Sequence, residues 1–375
     1  MRIEAIALTN FKAFDEIEVP LSALTLLSGL NGSGKSSVVQ ALGLLRQSLD
    51  GGILREGEIA LNGPLVEIGT GRDLLYQGFA NAMIGIALEI GAEPEPQWLE
   101  WTAEAPLDAD VLPCEMPLDE SAALDVNVFN TGFQFLRADR ITPALTFPRS
   151  QHAVGTDRFL GPRGEYTAHF LLKYGEVAEV ARPLRHASAP DAPGLLSQVN
   201  AWMQEFSPGV RVEPQAIPMT DLVRLAFSYR GTSAAYGEPM RPTNVGFGLT
   251  HALPVVTACL AAEPGSLVVI ENPEAQLHPL GQAAMGRLLA LAAAQGVQIL
   301  AESHSDHVLN GIRIAVKERV IAPDQVQLHF FRRDIGKGAE RETPALNIDG
   351  RLSFRPENYF DQWERSLDVL LDDLP

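Results

Sequence analysis

The chain has 375 residues, of which 46% are hydrophobic and 20% charged, and a net charge of −18 distributed along its length. Those values describe a globular protein with a substantial core, built as two domains or as one domain with an insertion. The negative charge disfavours unassisted binding to nucleic acid or anionic membrane, since phosphate attracts positive surface, so DNA is possible as a partner but not favoured.

The two cysteines, Cys114 and Cys259, lie far apart and in no metal-ligand spacing, which fits a reducing, cytoplasmic setting. The opening MRIEAIALTNF lacks the apolar core of a signal peptide. The most apolar stretch, 252–270, is interrupted by Glu263, Pro264 and Gly265, so no membrane span is expected.

In chain order, residues 3–8, 17–19 and 24–27 read as short strands, and the third runs into a glycine-rich loop followed by a helical pattern over 35–49. From 81 to 230 the pattern is mixed. Strands are expected at 84–90, 97–102, 127–136, 210–217 and 222–229, with helices at 167–174 and 194–206 and no heptad run that would make a coiled-coil arm. Residues 243–331 return to an α/β rhythm: helix 250–262, strand 267–270, helix 280–294, strand 297–301, helix 306–317. Continuous apolar strands between helices indicate parallel strands buried on both faces. A short acidic helix is expected to end the chain.

The strongest chemical signal is Gly29-Leu30-Asn31-Gly32-Ser33-Gly34-Lys35-Ser36, a complete G-x-x-x-x-G-K-S. Glycines let backbone N–H groups turn inward as an anion nest, and the following helix adds the positive end of its dipole. Lys35 is expected at the β- and γ-phosphates of ATP and the Ser36 hydroxyl on Mg²⁺. The alternative, a surface glycine turn, does not explain the strand before and the helix after.

The apolar run Leu267-Val268-Val269-Ile270 ends in Glu271, with Asn272, Pro273 and Glu274 behind it. A strand-end carboxylate of this kind can hold Mg²⁺ directly or through water; an acidic helix-capping cluster is the alternative. His304 follows another apolar strand, Gln298-Ile299-Leu300-Ala301-Glu302, at the sheet edge where ligands bind in such folds. There it can contact a γ-phosphate or orient water. Gly246 and Gly248, just ahead of Thr250, open a further helix and make either a second anion site or a simple turn.

Together these residues resemble the ATP-binding-cassette superfamily, in the branch of SMC heads, RecF and the overcoming-lysogenisation-defect ATPases. The resemblance implies an α/β P-loop NTPase, an ABC-type ATPase head with a mixed α+β insertion. The parts would be an N-terminal β lobe with the P-loop at 1–80, an insertion at 81–240, a lobe at 241–335 holding signature, Walker B and switch histidine, and a tail at 336–375. It puts Asn10, Lys12 and Phe14 near adenine and ribose, and the loop residues Gly29, Asn31, Gly32, Ser33, Gly34, Lys35, Ser36 and Ser37 around the phosphates. Glu271 would be the Walker B carboxylate and His304 the switch histidine. Gly246, Gly248 and Thr250 would form a degenerate signature that completes a partner's ATP site in a head-to-tail homodimer or higher oligomer. Gln77 is a Q-loop candidate for the metal.

Ser303-His304-Ser305-Asp306-His307, Tyr359-Phe360-Asp361-Gln362 and Leu136-Arg137-Ala138-Asp139-Arg140 are similar to stand-alone bacterial AAA-type ATPases with a C-terminal domain of unknown function. Relatives of that group occur beside effector genes in anti-phage systems, which implies a separate effector protein as partner. Arg137, Arg140 and His278 admit either a functional or a structural role.

Two departures stand out. Asn272 occupies the position of the usual catalytic glutamate and cannot accept a proton from water, so turnover is expected to be slow, with Glu274 or His304 as substitutes. The tail's Asp334, Asp349 and Asp361 lack the paired spacing of a two-metal nuclease. The expected function is thus an ATP-driven, dimerising regulator of an effector; a nucleotide-binding scaffold with negligible hydrolysis and a RecF-like repair ATPase are the alternatives.

Overall fold

The computed structural model describes the chain except residues 92–95, 232–234, 334–337, 358–365, 368 and 372–375. The tail motif at 359–362, Asp334 and Asp361 lie outside the described residues. The N-terminal strands are β1 (Ile3–Phe11), β2 (Phe14–Pro20) and β3 (Leu24–Gly29), followed by α1 (Lys35–Asp50), β4 (Glu58–Ala60) and α2 (Gly71–Leu74). Next come β5 (Met83–Ile90), β6 (Gln97–Glu104), β7 (Val111–Glu115), α3 (Glu120–Leu124), β8 (Gln134–Leu136) and β9 (Thr146–Pro148). Then follow α4 (Thr167–Tyr174), α5 (Leu195–Phe206), β10 (Val210–Ala216), β11 (Leu222–Tyr229) and α6 (Phe247–Ala261). The chain continues through β12 (Leu267–Glu271), α7 (Pro279–Ala294), β13 (Gln298–Glu302), α8 (Asp306–Lys317), β14 (Val326–Arg333) and β15 (Ala339–Glu342).

The central sheet has the order β15-β14-β3-β13-β12-β8, and its strands are parallel except for β15. Each inner strand divides its side chains between two hydrophobic cores. Leu24, Leu26, Val268, Ile270, Ile299 and Ala301 face the core shared with α4–α8. Leu27, Leu267, Val269 and Leu300 face α1 and a second, antiparallel sheet. The period-2 alternation of a strand, with both faces covered, is the reason these segments are continuously apolar.

That second sheet runs β2-β1-β5-β6-β7-β4, and a third, smaller one runs β10-β11-β9. The range 81–240 is therefore divided among three sheets: β5–β7 extend the N-terminal lobe, β8 joins the central sheet, and β9–β11 form a separate layer. The strand expected over 127–136 is shorter than its sequence suggests. A 3-10 turn occupies Asn127–Phe129 and β8 begins at Gln134. Asn127 is pinned there, its amide donating to Gln298 Oε1 at 2.8 Å, and Gly132 at φ +86° breaks the extended run. Among the described residues, no helix is long and apolar enough to cross a membrane.

His329 on β14 joins the lobes. It is fully buried; its Nε2 lies 2.7 Å from the carbonyl of Pro20, and its Nδ1 lies 3.0 Å from Arg341 and 3.1 Å from Thr343. The first contact requires Nε2–H to donate, which leaves Nδ1 to accept, the arrangement of a neutral ring. Burial holds its pKa down at about 4, against an ordinary 6.5, and Arg341 adds to the effect. Because the folded pKa is depressed, the unfolded chain takes up the extra proton first. Stability is full above pH 6.5 and falls as pH drops towards 4, by about 3 kcal/mol in all. In urea titrations across this interval, His329→Gln should lose that part of the pH dependence; an unchanged slope would show that another group is responsible.

Candidate functional site

The P-loop begins where β3 leaves the sheet. Gly29, at φ +136°, passes so close to β14 that a Cβ there would meet the carbonyl oxygen of Phe331 at 2.0 Å, so no side chain fits. Gly34, at φ +103°, caps α1 with no side-chain hydrogen bond, and a Cβ would strike the Phe14 ring at 2.4 Å. The backbone is thereby forced into a tight cradle with the uncapped N-terminus of α1 at its floor, a ready anion site. Ser33 is fully buried in this loop and its Oγ has no partner. Lys35 folds back over the loop, its ammonium donating to the carbonyls of Gly29 (3.1 Å) and Leu30 (2.8 Å). Burial lowers its pKa, with Glu302 acting in the opposite direction.

Strands β3, β13 and β12 lie side by side, so their carboxyl ends place Leu27, Glu302 and Glu271 in one row. Glu302 Oε1 accepts from Ser36 Oγ at 3.1 Å and lies 3.9 Å from the Lys35 ammonium. Its other oxygen is buried without a partner. Burial raises the Glu302 pKa to about 6, Lys35 and Ser36 oppose the rise, and Glu271 and Glu274 contribute to it. Glu271 is likewise raised by burial, and opposed by its bond from the Ala138 N–H at 2.8 Å.

The residues behind this row brace it. Arg140, 2% exposed, donates to the carbonyls of Glu271 (2.7 Å) and Asn272, so it is a structural cation of the turn after β12 and not a surface ion pair. Burial lowers its pKa to about 10, opposed by Glu274 and Glu271. Arg137, by contrast, pairs near the surface with Asp139 at 2.8 Å. Asn272 sits in the left-handed region at φ 46°; its N–H donates to the Glu302 carbonyl at 2.8 Å, while its side-chain oxygen is buried without a partner. Glu274 accepts from Ser303 Oγ at 2.8 Å and from the His304 N–H at 2.9 Å. It thus holds the loop that carries His304, an exposed residue whose pKa is lowered by partial desolvation and by Lys35, against Glu274. His278 is exposed and caps α7, accepting from the Leu280 N–H.

A cleft of about 370 Å³ opens in front of the loop, lined among others by Lys12, Lys35, Ser36, Gln40, Gln77 and Arg333. Lys12 and Gln77 are therefore brought to the phosphate loop. Asn10 and Phe14 have internal contacts instead: the Asn10 amide donates to the carbonyls of Asn81 and Met83, both at 2.8 Å, and Phe14 is buried against Phe331 with ring centroids 6.0 Å apart. Gly32, Ser33, Gly34 and Ser37 line the cleft as well, whereas Gly246, Gly248 and Thr250 do not. Gly248 packs on the chain's own turn after β12, where a Cβ would meet the Gln276 carbonyl at 2.4 Å. Thr250 is buried with an unpartnered hydroxyl.

Sequence reasoning did not single out Glu302 or Arg333. Glu302 lies two residues ahead of His304, in a segment whose local pattern points to the histidine, and Arg333 gains its place only because β14 pairs with β3, Phe331 opposite Gly29. The donor set fits ATP with Mg²⁺: an orphaned serine hydroxyl in the loop, a lysine hydrogen-bonded only to main-chain carbonyls, and beside Ser36 the desolvated Glu302 with one oxygen unpartnered.

Comparison with known proteins agrees with this geometry. Residues 132–310 match the family described as AAA domain, putative AbiEii toxin, Type IV TA system. Residues 1–65 match an AAA ATPase domain, and 321–370 a protein family of unknown function, DUF3696. The DNA replication and repair protein RecF of Corynebacterium jeikeium is 33% identical over 81 residues, 20% of this chain and 19% of RecF. RecF of Pseudarthrobacter chlorophenolicus is 33% identical over 76 residues, 20% and 17% of the two chains. The aligned stretch is thus under a fifth of the length of these relatives.

Two solved structures share the fold over most of the chain. The SmcHead bound to the C-winged helix domain of ScpA has a TM-score of 0.54 at 13% identity, covering 92% of this chain and 99% of that one. The Smc head domain with an extended coiled coil, bound to the C-terminal domain of ScpA derived from Pyrococcus furiosus, gives 0.54 at 12% identity and 99% of both chains. The chain thus carries a complete phosphate-binding motif on a fold shared with Smc heads, and its segments 1–65 and 132–310 each match a family of AAA ATPase domains.

Proposed function

We propose that the chain binds Mg-ATP in the cleft before the P-loop, closes head to tail on a second copy, and hydrolyses the nucleotide slowly. The alternation of open and closed pairs then regulates or carries a separate effector protein in the bacterial cytoplasm, in defence against phage. The observation that carries this reading is the phosphate cradle itself, with Lys35 held on the loop carbonyls. Exchanging those neutral acceptors for anionic β- and γ-phosphate oxygens pairs the ammonium with opposite charge, so nucleotide draws the lysine out. Mg²⁺, held by Ser36 and a strand-end carboxylate, supplies charge neutralisation at the transferring phosphoryl group.

Slow turnover is supported by Asn272. Its amide cannot take a proton, and its main chain is fixed by Arg140 and Glu302, so the turn cannot readily present a different group there. Glu274 is engaged by two donors, an arrangement suited to positioning His304 against the γ-phosphate. The match to a family described as a toxin of a toxin–antitoxin system supports a role linked to an effector. Free Cys114 and Cys259 are compatible with a reducing compartment. Asn272 also favours a second reading, a scaffold that holds ATP without turning it over.

Phosphate release at high protein concentration tests both. Wild type should be slow and Lys35→Ala silent. Glu274→Ala should lose release while keeping ATP, and Asn272→Glu should gain on the order of 100-fold or more. Tight retention of unhydrolysed ATP by wild type would select the scaffold; no ATP binding at all would end both readings.

The head-to-tail pair has its own test. A Cβ added at Gly246 meets nothing within 4 Å in the chain, and its φ of −60° suits any residue. Gly246→Asp should therefore leave ATP affinity and melting temperature unchanged while abolishing the ATP-induced dimer in sedimentation. A dimer that persists would remove this segment from the interface.

A further inference from the structure

We propose that Glu302, at the tip of β13, and not Glu271, at the tip of β12, is the carboxylate that binds Mg²⁺ together with Ser36. The inference rests on the reading of the cleft as a Mg-ATP site and reassigns its metal-binding carboxylate. Three observations lead to it. Glu302 Oε1 is 3.1 Å from Ser36 Oγ, the hydroxyl that the P-loop motif offers to the metal, and no such contact joins Ser36 to Glu271. The Glu302 side chain is 8% exposed and its second oxygen is buried with no partner. A carboxylate oxygen left in that state is costly unless a cation or donor arrives. Glu271, in contrast, is already engaged by the Ala138 N–H at 2.8 Å, and the loop that provides it is anchored by Arg140 on the Glu271 carbonyl.

The backbone makes the placement of Glu302 firm. The N–H of Asn272 donates to its carbonyl at 2.8 Å, and the N–H of the next residue, Ser303, donates to Leu27 O at 2.9 Å. Glu302 is thus clamped between the P-loop strand and the Walker B strand, with its side chain beside Ser36. Lys35, 3.9 Å away, neutralises it in the metal-free chain; once Lys35 moves to phosphate, Glu302 is left facing the metal position. Glu271 then acts as a positioning residue that orders the 137–140 loop.

The test measures metal binding apart from hydrolysis. Binding of a fluorescent, non-hydrolysable ATP analogue is titrated with Mg²⁺ and with EDTA, and free Mn²⁺ is counted by EPR in the presence of the same analogue. Glu302→Gln should keep the EDTA affinity and lose Mn²⁺ affinity by on the order of 10-fold or more, with Mg²⁺ no longer strengthening nucleotide binding. Glu271→Gln should retain near-wild-type Mn²⁺ affinity. If Glu302→Gln fails to fold, Glu302→Asp, with its charge kept and its reach shortened, should show a smaller loss in the same direction. Wild-type Mn²⁺ affinity in folded Glu302 variants, or its loss in Glu271→Gln alone, overturns the assignment and leaves the ATP reading standing. A wild type that binds no analogue with or without Mg²⁺ overturns both.

Discussion

At the carboxyl edge of the central sheet the buried Lys35 faces the desolvated Glu302, and the arrangement of the head follows from holding that pair in place. Lys35 lies 3.9 Å from Glu302, Glu271 stands in register beside it, and both carboxylates have pKa values raised by burial. A chain that merely needed stability would replace such groups by apolar ones, because desolvating charge rarely repays itself in folding. A phosphate-binding loop gives a reason to keep them: phosphate can draw the lysine away, and the unpartnered Glu302 oxygen can accept a cation.

Holding those groups requires rigid support from distant parts of the chain. Parallel pairing of β3, β13 and β12 aligns their ends, and both faces of that sheet are sealed by separate cores. Gly29 pressed on Phe331, and Gly34 pressed on Phe14, shape the phosphate cradle by contact with elements that precede and follow it. Arg140, arriving from the end of β8, locks the turn after β12 through main-chain carbonyls. Glu274 does the same for the histidine loop. This edge of the sheet is in this sense a set of backbone clamps, which leave few side chains free to face the cleft.

The chemistry of the P-loop was legible in the residues because it is local. Its glycines, lysine and serine act within one strand–loop–helix unit, and α1 and β3 begin and end close to where their apolar patterns place them. The helices and strands from 247 to 317 were legible for the same reason, since buried parallel strands and their crossover helices have distinct periods. Residues 127–136 were not. Their apolar content suggests one strand, but Asn127 is drawn to Gln298 on a strand far along the chain, and only β8 remains extended. Asn10 and Phe14 carry a family pattern, yet their side chains serve the 81–83 segment and the underside of the loop.

The amino-acid sequence by itself determined that the chain carries a phosphate-binding loop between a strand and a helix, and that an α/β head presents it. Each of these depends on neighbours within a few residues, where backbone geometry and side-chain type suffice. Tertiary structure alone decided that Glu302 lies at Ser36, that Arg140 is buried behind Glu271, and that Lys12, Gln77 and Arg333 share one cleft. Those relations depend on strand order. Insertion of β13 between β3 and β12 is a long-range choice made by the burial of whole sheet faces, and no local pattern of residues encodes which strand tip will stand beside the phosphate loop.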